Sequence, residues 1–162
     1  MSDTSVLPAS LAIRGLFEDL LGRDCNVGPS EPLTADDLRT ATVAVYADPS
    51  QQLYGVLGMQ LSLAANAGAA LGLLPPGAAE DSIDEKRLFP DLAENVFELC
   101  NVLTSLLNRD GAPHVKLYQV VHPGMPLPAD ARAVLMALGR RLDVMIEVSR
   151  YGKGKLSLSL AP

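Results

Sequence analysis

Glu98-Leu99-Cys100-Asn101 is the stretch of this sequence whose residue types and spacing could act on another molecule. Residues three apart stand side by side on an α-helix, so Glu98 and Asn101 can reach one target. A carboxylate binds a cation, and a carboxamide both donates and accepts hydrogen bonds, so it can orient a water. Together the two could grip a partner and place a water for hydrolysis with no nucleophile or metal ligand from this chain. Ser105, one turn beyond Asn101, would be a nucleophile only with a base beside it, and Glu98 lies about two turns away. His114 and His122 have no carboxylate or cysteine at metal-ligand spacing, so they read as ordinary histidines and no metal site is expected. The sequence contains no phosphate-binding glycine loop, no Gly-x-Ser-x-Gly and no Cys/His pair with a third member.

The element that must carry Glu98 and Asn101 is a predicted helix over Phe89–Asn108, FPDLAENVFELCNVLTSLLN. At about 100° per residue, Asp91, Glu94, Glu98, Asn101, Ser105 and Asn108 share an arc of roughly 100°. Leu92, Val96, Leu99, Cys100, Leu103, Leu106 and Leu107 occupy most of the other side. Pro90 suits a first turn, and Asp91 and Glu94 oppose the positive end of the helix dipole. No lysine or arginine lies between Asp91 and Asn108. The pattern predicts a largely buried helix showing solvent one acidic-and-amide ridge. Such a ridge also serves simply as the solvated side of a half-buried helix.

In this context the Glu-x-x-Asn pair resembles the CheX/CheC/FliY family of chemotaxis phosphatases, which dephosphorylate the response regulator CheY. That family carries Asp or Ser, then Glu four residues on, then Asn three further, with a proline later in the chain. The corresponding residues here are Glu94, Glu98, Asn101 and, slightly early, Pro123. The resemblance implies that Glu98 pairs with a lysine of the partner's receiver domain and that Asn101 aligns the attacking water. Glu94 and Ser105, one turn to either side, are expected to line the partner contact. It implies no cofactor of the chain's own, since the Mg2+ belongs to the receiver domain. The sequence departs from the family at Phe97 and Ser105, where glycine is often found. Phe97 either narrows access for the partner or supplies an apolar contact. Two further readings stand beside the phosphatase: a non-catalytic adaptor that docks a receiver domain, and a structural subunit of a switch-type assembly.

Length and composition set the frame. A chain of 162 residues, 48% apolar and 20% charged, reads as one globular domain. Its net charge of −6 argues against nucleic acid or an anionic membrane as partner. Cys25 and Cys100 are far apart and one falls on the buried side of the helix, so free thiols are expected. The first residues lack the basic start and apolar run of a secretion signal, and no apolar run is long enough to span a membrane, which predicts a cytoplasmic protein.

The remaining elements follow from periodicity. Pro8–Gly22 predicts a helix with Gly22 as its stop. Cys25 and Val27 suggest a short strand. Arg39–Ala47 and Gln52–Gln60 predict a hairpin weakened by Gly55 and Gly58. Leu61–Leu74 reads as a helix of small residues in which Gly68 and Gly72 are packing positions. It has no glutamate, so a single site is expected, as in the CheX type. Pro75–Asp84 reads as a loop, Asn108–Gly111 as the end of the central helix, His114–Val121 as a strand and Ala129–Arg140 as a short helix. Leu142–Ser149 and Lys155–Leu160 predict a second hairpin around Tyr151–Gly154. Strands and helices segregate, so the fold class is α+β: a mostly antiparallel sheet, two long helices on one face, and an N-terminal helix. An exposed final strand would favour a homodimer, which the resemblance also suggests.

Overall fold

A computed structural model describes residues 7–108 and 114–162. The elements are α1 (Ser10–Leu21), β1 (Cys25–Pro29), β2 (Thr42–Ala47), β3 (Leu53–Met59), α2 (Leu61–Leu71) and α3 (Pro76–Asp84). They continue with α4 (Pro90–Leu103), β4 (Lys116–Val121), α5 (Ala129–Met136), β5 (Arg141–Val148) and β6 (Gly152–Leu160). The strands form one sheet in the order β1-β5-β6-β3-β2-β4. Every neighbouring pair is antiparallel. The fold is therefore α+β.

The alternation of β2 shows how the two faces are used. Ala44 and Tyr46 join the main core with Phe17 of α1, Leu63 and Ala67 of α2, and Val96, Leu99 and Leu103 of α4. Val43 and Val45 face the other way, into a smaller core closed by Ala131 and Leu135 of α5. Because both faces are covered, all of β2 is buried, which is why its sequence TVAVYA is nearly continuously apolar. Gly58 of β3 faces the α5 side, where an added Cβ would lie 2.5 Å from a methyl of Leu33 and 3.2 Å from one of Leu135.

Several expectations change. Pro75–Asp84 contains a helix rather than a loop. Pro76 occupies the first turn, where its missing N–H costs nothing, and Ala79 packs with Ala65, Ala69 and Leu92. Arg39 closes a 3-10 turn, so the hairpin begins only at Thr42. The helix after Pro128 stops at Met136. The final strand is not at an edge: β6 lies between β5 and β3, so it offers no free backbone to a second chain. The edges are β1, which is short and ends in Pro29, and β4, in which Tyr118 is a bulge residue between the pairs Tyr46–Leu117 and Val45–Gln119. A proline and a bulge both blunt an edge against strand pairing. The residues 109–111 expected to close the central helix lie outside the described residues.

Candidate functional site

The helix that bears Glu98 and Asn101 is held on three sides. Leu92, Val96, Leu99, Cys100 and Leu103 are buried against the sheet and α2. On the α2 side, Gly68 lets the two helices approach so closely that an added Cβ would sit 2.9 Å from the Leu92 carbonyl oxygen. Asn95 then donates its Nδ2–H to the Gly68 carbonyl at 2.9 Å, and Gly72 leaves the space this carboxamide fills. Gly68 and Gly72 are packing positions, as expected. Asn95 went unassigned in the sequence because only a neighbouring helix gives it a role.

The third support comes from the sheet. Tyr46 Oη, completely buried, donates to the Cys100 carbonyl at 2.7 Å. In a continuing α-helix that carbonyl would accept from Thr104 N–H. Instead Thr104 N–H turns to Asn101 and Val102, and the chain tightens into a 3-10 turn over Thr104–Leu106. The tyrosine thus satisfies the carbonyl that this tightening leaves over. Burial pushes the Cys100 thiol up to about 12 and raises the Tyr46 hydroxyl well above its usual range, so both stay protonated.

What remains outside is the ridge. Asp91, Glu94, Glu98, Asn101 and Ser105 are exposed along one side of α4 and the turn after it. Among the described residues, no side chain bonds or ion-pairs with Glu98 or Asn101, which leaves both free for a partner. Among the described residues, no side chain bonds to Ser105. Asn108 departs from the ridge: it is half-buried, donates to the Val115 carbonyl at 3.0 Å and accepts from Val115 N–H at 2.7 Å. It pins the entry to β4. Phe97 is 49% exposed beside Glu98, a large apolar group on an otherwise polar strip. His114 is exposed and His122 half-buried, and among the described residues no three His, Cys, Asp or Glu side chains cluster closely enough to hold a metal ion. Cys25 and Cys100 are free buried thiols. No described helix is long and apolar enough to cross a membrane.

No family model and no curated protein matches the sequence. Solved structures do match the fold. The FliM middle domain from H. pylori superposes with a TM-score of 0.58 at 6% identity, over 93% of this chain and 84% of that one. Thermotoga maritima FliY gives 0.53 at 13% identity, over 91% and 81%. A chemotactic CheC-like protein from Shewanella oneidensis gives 0.50 at 15% identity, over 93% and 92%. The chain has the fold shared by FliM, FliY and CheC-like proteins. That likeness spans all three and does not single out the CheX type.

Two polar clusters stiffen this FliM/FliY-type fold away from the ridge. Arg141 and Asp143, both 12% exposed in their side chains, form a bidentate pair at 2.8 and 2.9 Å. Ser157 Oγ also donates to Asp143 at 2.6 Å. Lys155 pairs with Asp37 at 3.3 Å, and Gln60 Nε2 donates to the same carboxylate at 3.1 Å. Each group in these clusters has its partners inside the fold, which separates them from Glu98 and Asn101.

Proposed function

We propose that this protein is a single-site, CheX-like phosphatase that hydrolyses the aspartyl-phosphate of a CheY-type receiver domain. The observation that carries the reading is the pairing of Glu98 and Asn101, exposed side by side and, among the described residues, unpartnered on a helix fixed by the sheet and α2. Glu98 ion-pairs with a lysine of the receiver domain and seats α4 across its phosphorylated site. Asn101 reaches the phosphoryl group and holds a water in line with the bond that breaks. Phosphoryl transfer depends mainly on positioning and electrostatics, so one carboxamide on a rigid helix is sufficient apparatus. The Mg2+ that such transfers use belongs to the receiver domain. Glu94 and Ser105 extend the contact one turn in each direction, and Phe97 adds apolar area to it. The reading places the protein in the cytoplasm.

Asn101→Ala should remove the acceleration, by about 100-fold or more, while leaving receiver binding close to that of the parent. Glu98→Ala should weaken binding and rate together, and added salt should mimic it. A parent protein that leaves the receiver's own dephosphorylation rate unchanged would sink the reading. The second reading, a docking adaptor without catalysis, is favoured by exposed Phe97, since an apolar contact serves binding and water activation does not need it. An adaptor would bind the receiver through Glu98 and show no acceleration for Asn101→Ala to abolish. A homodimer has the helical faces to use rather than β6 or the blunted edges, and light scattering at micromolar concentration checks it.

A further inference from the structure

Beside the ridge runs an open cleft between α1 and α4. Ala12, Gly15, Leu16 and Leu20 form one wall, and Val102 and Leu106 the other, with Asp19 as its charged residue. The four α1 positions recur at helical spacing, so they form one continuous stripe. All six apolar residues are half-buried or exposed, so among the described residues no element covers this stripe. The wall of Val102, in α4, and Leu106, in the turn after it, continues the ridge: Val102 follows Asn101 directly and stands one turn beyond Glu98.

Gly15 is the informative residue. Glycine inside a helix lowers its stability, and a neighbouring element that needs the space is one reason to keep it. Gly68 and Gly72 face α4 in that way. A Cβ on Gly15, by contrast, would meet nothing within 4 Å. Among the described residues no contact calls for a glycine there, and its effect is to deepen the cleft.

Charge indicates what enters. Asp19 on the rim and Glu94 and Glu98 on the ridge are anionic, and among the described residues no lysine or arginine lines the cleft. Arg14, the cation of α1, is drawn to Glu18 at 3.4 Å. An apolar groove with an anionic rim fits an amphipathic element carrying apolar side chains beside lysine or arginine. An anionic membrane surface would be repelled by the same rim.

We infer that this cleft is the specificity-setting half of the docking surface and receives apolar side chains of the receiver-type partner, flanked by a basic residue. The inference rests on the proposed function, because the ridge must face the same partner. A Cβ at Gly15 has open space, so Gly15→Leu projects its side chain into the cleft, and Gly15→Ala fills little of it. The probe is a CheY-type receiver domain from the same genome, activated with beryllofluoride and Mg2+, with binding measured by calorimetry. Gly15→Leu should weaken binding tenfold or more, Gly15→Ala should bind within about twofold of the parent, and neither should lower the unfolding midpoint. If Gly15→Leu binds like the parent while Asn101→Ala still abolishes acceleration, the cleft assignment is wrong and the phosphatase reading stands. If the parent neither binds nor accelerates any receiver tried, the phosphatase reading falls and takes this inference with it. A parent dimer that Gly15→Leu converts to monomer would show that a second copy fills the cleft, which also overturns it.

Discussion

Replacing Tyr46 with phenylalanine tests how the sheet holds the turn that carries Asn101. The ring stays, so no cavity opens and the main core keeps its apolar contacts. What is lost is one hydroxyl donating at 2.7 Å to the Cys100 carbonyl in a site closed to water. Neither solvent nor Thr104 N–H, which is engaged with Asn101 and Val102, takes its place without movement of the backbone. A buried acceptor left without a donor costs about 1–3 kcal/mol. For a chain of this length that corresponds to a fall of roughly 2–4 °C in Tm per kcal/mol. Urea unfolding should show a lower midpoint with an unchanged m-value. The same relaxation should let Thr104 N–H return to Cys100 and lengthen the α-helix past Leu103, rotating Asn101 on its turn. The rate of receiver dephosphorylation should therefore fall more than receiver binding does. A Tyr46→Phe variant within about 0.5 kcal/mol of the parent would refute the claim that this hydrogen bond holds the turn.

Two other outcomes follow from the packing. A Cβ at Gly154 would lie 2.4 Å from Leu63 N and 2.7 Å from Leu63 Cβ, so Gly154→Ala must push α2 off β6 and should cost on the order of 1–3 kcal/mol by chemical denaturation. Stability should also fall at alkaline pH. Burial raises the Cys100 thiol from 9.0 to about 12 and the Cys25 thiol to about 11, so the unfolded chain loses these protons first. The contribution is complete below pH 9 and is lost as pH rises toward 12, where ionisation favours the unfolded state. Unfolding midpoints measured from pH 8 to 11 should decline, and Cys100→Ala should make the decline shallower; an equally steep curve would mean that the thiol is not the group responsible.

The α+β class, the hairpins and the polar line of the central helix were legible in the sequence because each is a local periodicity. Alternation marks strands whose two sides differ, and a 3.6-residue repeat marks the helix. Glu98 and Asn101 could be placed together on that basis alone, since three residues along a helix fix their neighbourhood whatever surrounds them. Even Gly68 and Gly72 could be read as packing positions, because small residues on a helix leave room for a neighbour.

What the tertiary structure decided are the relations between elements distant in sequence. The position of β6 in the middle of the sheet depends on β3 pairing with it across the intervening helices, which no periodicity records. Helix α3 forms because Ala79 and Ser82 find a buried place beside α2 and the start of α4; the Gly-, Pro- and Asp-bearing segment resembles a loop when read alone. Asn108 sits on the polar arc of an ideal helix, yet the tightening after Leu103 turns it inward to Val115. That tightening goes with a tyrosine 54 residues upstream. Local patterns specify which residues share a side, and only packing specifies what that side meets.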